Sequence, residues 1–477
     1  MLMLDDQTRA QLWPRVVETI ETYLTQIETA RVAPLLEVEK IRSTLAKCDF
    51  AQPMNALDAM DFVSAQLWQH LVHNGHPNYF GLFNPATTTM SIVADALVAA
   101  FNPQLAAWSH SPFPVEVENH LVRAFGERFG YDPAKTDGTF CSGGSEANHT
   151  ALLTALTHAF PDFNEFGTRA LPAQPVFYIS SQGHHSFLKA AKMSGLGTAA
   201  VREIPLADDL QMNVNALRAQ LAADKSAGLH PLMIVGTAGA TSTGIVDPLV
   251  ELADLAERER LWFHVDAAWG GGAAFVPGLR QTALDGIERA DSITFDAHKW
   301  LSAPMGAGVY LTRHTEILKQ TFNVATGYMP RDAAGLDVMD PFTHSIQWSR
   351  RFIGLKVFLS LLVAGWDGYA KVISKQVELG DRLRERLTAS GWRVINPTSL
   401  PVICFVDERT ASAEFIEAVV GSIVRSGKAW ISVARIGQQA TPVIRASITS
   451  YRTTEHEVDA LVDLLNQTRQ QVLSNNF

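Results

Sequence analysis

Apolar positions along this chain change their period twice. Between residues 8 and 30 they recur at Leu12, Val16, Val17, Ile20, Leu24 and Ile27, one stripe of a helix. A second helical stretch covers about 56–73. GHPNYFGLFNP follows, where Pro77 and Pro85 each remove a backbone donor and make the chain irregular. From about 90 to 320 the pattern becomes short, near-continuous apolar runs between amphipathic helices. The runs are PVFYISS (175–181), LMIVGTAG (232–239), LWFHVDAA (261–268), SITFDAH (292–298) and GAGVYLT (306–312). They predict an α/β fold with a mostly parallel central sheet covered on both faces.

Residues 330–347 have little periodicity and predict a long loop. After a helix at about 349–380 come GWRVIN, LPVICFVD, AWISVARI and PVIRASIT, the last two alternating apolar and polar residues. A final helix opens at Thr454, with Glu457 three residues on completing a capping box. The expected organisation is an N-terminal helical segment over 1–88, a large domain over 89–365 and a small α+β domain over 366–477.

Composition narrows the class without fixing the chemistry. Hydrophobic residues make up 47% of 477 and charged residues 18%, which excludes a disordered chain. A net charge of −10 with no basic block argues against nucleic acid. No uncharged stretch is long enough to span a membrane, and no basic-then-apolar leader opens the chain. Cys48, Cys141 and Cys404 are odd in number and far apart, so a reducing, cytoplasmic setting is expected. No metal-ligand spacing accompanies the histidines, and no metal site is expected.

Several predicted strands end in a polar residue followed by small ones: His184, Thr241, Asp266 and His298–Lys299. Ligands of open α/β sheets lie beyond the carboxyl ends of the strands, so these side chains could share one crevice. FCSGGSEANHTALLTAL (140–156) places Gly143, Gly144 and Ser145 at a helix start, a phosphate seat or an ordinary capped terminus. Asp266 ends an apolar strand, where a carboxylate needs a cation: a protonated pyridine nitrogen, or an arginine. Lys299 directly after a strand is a nucleophile if desolvated beside an imine-forming cofactor, or a lysine that merely reaches solvent. His184 could lie over a pyridine ring or serve a structural role.

Taken together, CSGGSEAN, a His-x-Ser after a strand, HVDAAW and DAHKW occur in an order and spacing similar to one family. The chain resembles the pyridoxal-phosphate-dependent decarboxylases of the glutamate and aromatic amino acid type. HPNYF and HSIQWSRRFIGLKVF extend the resemblance to roughly 70–450. It implies the fold-type I, aminotransferase-like architecture and a homodimer with its active site at the subunit interface. It also implies pyridoxal 5'-phosphate as cofactor, with Lys299 as the Schiff-base lysine, Asp266 as partner of the pyridine nitrogen and His184 stacked on the ring. Gly144, Ser145 and His298 match phosphate contacts, Thr241 a residue near the ring, and Ala268 one packed on its other face.

The implied reaction is decarboxylation of an amino acid to its amine. Tyr79, Phe80, Leu82 and Phe83 are the expected substrate neighbours; Leu82 stands where glutamate-specific relatives place a polar residue, which favours an aromatic substrate. Two positions depart from the family pattern. Residues 329–347 carry no tyrosine, where relatives use one as proton donor to Cα. His344 is the expected substitute, and an oxygen-dependent aldehyde synthase is the alternative. Asp296 replaces an asparagine found in relatives. A catalytically inactive scaffold and an aminotransferase on the same fold are the remaining rivals.

Overall fold

The computed structural model describes residues 2–330, 332–333, 335–437 and 439–476. Its larger sheet contains β1 (Asp137–Cys141), β2 (Pro175–Ser180), β3 (Val201–Ile204), β4 (His230–Thr237), β5 (Trp262–Asp266), β6 (Ser292–Asp296) and β7 (Gly308–Thr312). Their order across the sheet is β1-β7-β6-β5-β4-β2-β3. All five residues of β5, of β6 and of β7 are buried, as expected for strands covered on both faces.

The parallel expectation holds for β2 to β6, whereas β7 runs antiparallel to both neighbours. The reason is length. Only residues 297–307 connect β6 to β7, with no helix among them, too few for a parallel crossover. β1 and β3 were not separable from their surroundings by periodicity. β1 runs straight into the glycine turn, and β3 is a four-residue edge strand with one fully buried side chain.

A second sheet, β8 (Trp392–Val394), β9 (Val402–Asp407), β10 (Ser432–Ile436) and β11 (Thr441–Ser447), is antiparallel in the order β10-β11-β9-β8. One continuous apolar core joins both sheets, from Phe295 and Val309 to Val402 and Ile444. The helix Glu455–Asn476 opens with the capping box: Thr454 N and Oγ1 both donate to Glu457 Oε2.

The helix Leu355–Ala389 is long and apolar, but Gly365 breaks it with φ 63° and ψ 176°. The ten residues before the break extend about 15 Å, half of a bilayer's hydrocarbon core. The N-terminal helices Asp6–Gln26, Val38–Leu45 and Ala56–His70 contain no fully buried residue and expose Trp13, Val17, Val63 and Leu67. The irregular segment after them is pinned to the smaller sheet, because Phe80 N donates to Trp430 O and Phe80 O accepts from Ser447 N.

Candidate active site

The helix Gly144–Ala159 crosses one face of the larger sheet and is buried along most of its length. Its start is forced to be glycine. A Cβ on Gly144 would lie 2.9 Å from Asp296 Oδ2 and 3.2 Å from Ala268 Cβ. Gly308, opening β7, is under the same constraint, since a Cβ there would come 2.6 Å from Gly143 Cα. Ser145, the second residue of this helix, is exposed beside the turn, as an anion seat requires.

β5 and β6 lie side by side in parallel register, with Asp266 opposite Thr294. Alternation puts His264 and Asp266 of β5 on the same face as Ser292, Thr294 and Asp296 of β6, beneath that helix. Asp266 is 6% exposed. Its Oδ2 accepts from Asn148 Nδ2 at 2.8 Å and its Oδ1 from Ala268 N at 3.1 Å. Lys299 leaves the turn after β6, and its Nζ lies 2.9 Å from Asp296 Oδ2.

His298 is buried, and its Nδ1 accepts from Ala307 N at 3.2 Å. Burial lowers its pKa, against the pull of Asp296, so the neutral ring keeps its proton on Nε2. A Cβ on Gly143 would lie 3.5 Å from His298 Cε1, which places this ring beside the glycine turn.

His184 Nδ1 accepts from Ser186 N at 3.2 Å and bonds Ser186 Oγ at 2.8 Å. One side of the ring is open to solvent. Desolvation on the other lowers its pKa, and the charges of Asp266 and Lys299 act on it in opposite senses. Thr241 follows β4 in an exposed turn, and its carbonyl accepts from Arg445 Nε at 3.0 Å. Gly144, Ser145, His184, Thr241, Asp266, Ala268, His298 and Lys299 therefore come from the carboxyl ends of five strands; contacts and charges bring Gly144, His184, Asp266, Ala268, His298 and Lys299 together, while Thr241 is tied to Arg445.

The aromatic segment divides. Phe80 is fully buried in the core, and Tyr79 packs on Trp430 with its hydroxyl accepting from Leu82 N. Leu82 is half exposed. Phe83 stacks on Trp269 with centroids 4.3 Å apart, three residues beyond Asp266.

His344 lies apart from this group within one chain. His344 is buried, bonds Thr343 Oγ1, and lies 3.8 Å from Asp137 Oδ2. Asp137 starts β1, about 13 Å along the strand from the glycine turn. Desolvation lowers the pKa of His344 to about 4.

Three participants escaped the sequence reading. Asn148 and His264 sit inside the quoted motifs, and the signal was spacing: His264 is two residues from Asp266, on one face of a strand. Arg445 of β11 is the third. It is 2% exposed, bonds Thr241 O and Gly81 O, and lies 4.8 Å from the Phe83 ring. Its Nη2 has no hydrogen-bond partner, and no carboxylate pairs with it among the described residues. Burial lowers its pKa.

A glycine turn fit for a phosphate, a lysine at a strand end and a buried carboxylate define an enzyme that fits pyridoxal phosphate. The chain belongs to the family described as pyridoxal-dependent decarboxylase conserved domain, whose model matches residues 46–407. It is 28% identical over 465 residues to the aromatic-L-amino-acid decarboxylase of Bacillus atrophaeus, covering 96% of this chain and 94% of the relative. It is 30% identical over 411 residues to the L-2,4-diaminobutyrate decarboxylase of Rhizobium meliloti, covering 85% and 80%. The crystal structure of Oryza sativa TDC with PLP and tryptamine superposes with a TM-score of 0.91, covering 99% of each chain at 24% identity, and has the same fold-type I architecture. This protein is a pyridoxal-phosphate-dependent carboxy-lyase acting on an amino acid.

Proposed function

We propose that the chain converts an aromatic L-amino acid to its amine and carbon dioxide. The observation that supports the aromatic assignment is the half-exposed Leu82, with Phe83 stacked on Trp269 in the core behind it. Apolar surroundings of this kind favour ring-bearing side chains over charged ones. The name of the Bacillus atrophaeus relative points the same way, and that of the Rhizobium meliloti relative points to a cationic side chain instead.

In this reading Gly144, Ser145 and His298 hold the cofactor's phosphate, and Lys299 holds the cofactor covalently through Nζ. Asp266 would keep the proton on the ring nitrogen, and His184, Ala268 and Thr241 would line the ring. Bound pyridoxal phosphate supplies an electron sink for the pair left on Cα when carbon dioxide departs. Arg445, a buried cation with no carboxylate partner among the described residues, is the proposed partner of an anionic group of the substrate. Lys299 Nζ would be the group that moves a proton to Cα. His344 stays with Asp137, outside its own chain's site.

We place the enzyme in the cytoplasm as a homodimer with the site at the subunit interface. The exposed Trp13, Val17, Val63 and Leu67 on the N-terminal helices support such packing, and three unpaired cysteines suit a reducing compartment. A second reading, oxygen-dependent aldehyde formation, is favoured by the lack of tyrosine over 329–347. Incubation with aromatic L-amino acids, L-2,4-diaminobutyrate and L-glutamate, reading carbon dioxide, amine, aldehyde and hydrogen peroxide together, separates the two. Amine without peroxide is expected. Aldehyde with stoichiometric peroxide establishes the second reading, and turnover of diaminobutyrate alone removes the aromatic assignment.

A further inference from the structure

Beneath the site lies a buried chain of polar side chains: Trp262, Ser292, His264, Asn148, then Asp266 and, through Ser186, His184. Trp262 Nε1 is 2.9 Å from Ser292 Oγ, which is 2.8 Å from His264 Nδ1. His264 Nε2 is 3.2 Å from Asn148 Oδ1. Asn148 Nδ2 is 2.8 Å from Asp266 Oδ2 and 2.9 Å from Ser186 Oγ, which reaches His184 Nδ1 at 2.8 Å. We infer that these bonds run in a single sense, and that Asn148 and His264 are positioning residues that set Asp266 and the proton of His184 for the cofactor. The inference rests on the roles proposed above for Asp266 and His184.

The sense of every bond is decided from its ends. An indole N–H can only donate, so Ser292 Oγ accepts from Trp262 and retains its own hydrogen, which goes to His264 Nδ1 when that nitrogen is bare. At the other end both Asp266 oxygens accept, one from Asn148 and one from Ala268 N, as an ionised carboxylate does. That aims the Asn148 amide donors at Asp266 and Ser186, and leaves Oδ1 to accept from His264. A flipped amide would set its oxygen against the carboxylate.

His264 must then carry one proton, on Nε2, and its complete burial holds it neutral. Ser186 Oγ, already an acceptor from Asn148, gives its hydrogen to His184 Nδ1, which also accepts from Ser186 N. His184 thus keeps its proton on Nε2, the nitrogen not engaged by Ser186. Asn148 uses its oxygen and both hydrogens, each on a different partner. No other amino acid of similar size supplies one acceptor and two donors in that arrangement.

The test begins with the cofactor-free wild type labelled with ¹⁵N on histidine, resonances being assigned by single-histidine substitution. His264 and His184 are each expected to show a bare Nδ1 and a protonated Nε2 at neutral pH. A proton on Nδ1 of His264, or two protons on its ring, overturns the relay. Next, Asn148→Leu reconstituted with pyridoxal phosphate is expected to bind it about tenfold more weakly or worse, since it strips a charge-assisted bond from Asp266. Its visible absorption band should also lose intensity to the near-ultraviolet, because a less firmly held carboxylate keeps the ring nitrogen less protonated.

Binding and spectrum like the wild type overturn the positioning role. Should Asn148→Leu not fold, His264→Phe gives the same readouts with the space filled beside Phe187, whose ring packs edge-on at 5.9 Å. If the wild type takes up no pyridoxal phosphate, the proposed site fails, and the labelled spectra still decide the relay.

Discussion

Lys299 Nζ sits 2.9 Å from the Asp296 carboxylate, and Asp296 is 1% exposed with neither oxygen engaged in a hydrogen bond. The turn after β6 therefore balances a buried acid with the same amine that the proposed chemistry uses. Lys299→Ala should abolish carbon dioxide release. In the cofactor-free protein it should also cost about 1–2 kcal/mol, at the low end for a broken buried pair because Lys299 keeps part of its side chain in water. Thermal denaturation of Lys299→Ala against Lys299→Ala/Asp296→Asn checks this. The double variant should be the more stable, and equal stability would show that the lysine is not what balances Asp296.

Asp266→Asn keeps the size of the side chain and removes its charge. Carbon dioxide release should fall about 100-fold or more in kcat, with KM changed far less, since the lost interaction counts as charge develops on bond breaking. Single-turnover kinetics with an accepted amino acid measure it. A variant whose KM rises while kcat holds would move Asp266 from chemistry to binding.

Arg445 is costly to bury without a counter-charge, and its buried Nη2 has no hydrogen-bond partner among the described residues. Arg445→Lys retains the charge and loses the fork that bonds Thr241 O and Gly81 O together. KM should rise about tenfold or more, the equivalent of one charge-assisted bond. Competitive inhibition by a substrate analogue lacking the α-carboxylate should be unaffected. Equal weakening of that analogue would make Arg445 a structural brace.

How much of this was legible in the sequence follows from what each signal encodes. β2, β4, β5 and β6 were readable because buried parallel strands are continuous apolar runs. The sense of β7 was not read from its own composition, and was decided by the short connection before it. Asp266, Lys299 and His184 stood out as charged or titratable groups in apolar surroundings. Asn148 and His264 did not, since a polar residue in a helix or strand says nothing of its partner until the two elements are packed together. His344 stands out in its loop as a titratable group, whereas the packing that sets it beside Asp137 is long-range.

For His344 the placement makes a sharp expectation. Its ring is buried against Thr343 and Asp137, with desolvation holding it neutral. His344→Gln should leave kcat and the amine-to-aldehyde ratio within about twofold of the wild type, while lowering the melting temperature by a few degrees. Product analysis by chromatography and a melting curve suffice. A collapse of kcat with unchanged melting would mean that this ring serves a site other than its own chain's.

His264 offers a pH dependence with a defined sign. Burial lowers its pKa to about 4, against 6.5 when free. Between those values the unfolded chain binds the extra proton and the native one does not, so this group's contribution to stability is intact above about pH 6.5 and is lost as the pH falls. From pH 7 to pH 5 the loss is about 2 kcal/mol. His344 acts in the same direction, while burial raises Asp137 to about 7 and Asp247 to about 6, which favours the native state as pH falls. The wild-type profile alone is therefore a partial cancellation. His264→Gln isolates the term, because glutamine can keep a donor toward Asn148 and does not titrate. Urea unfolding of the cofactor-free protein should show the variant less destabilised than wild type on going from pH 7 to pH 5. Parallel profiles would mean that His264 takes up its proton in the native state, with Ser292 Oγ accepting from Nδ1 instead of donating to it.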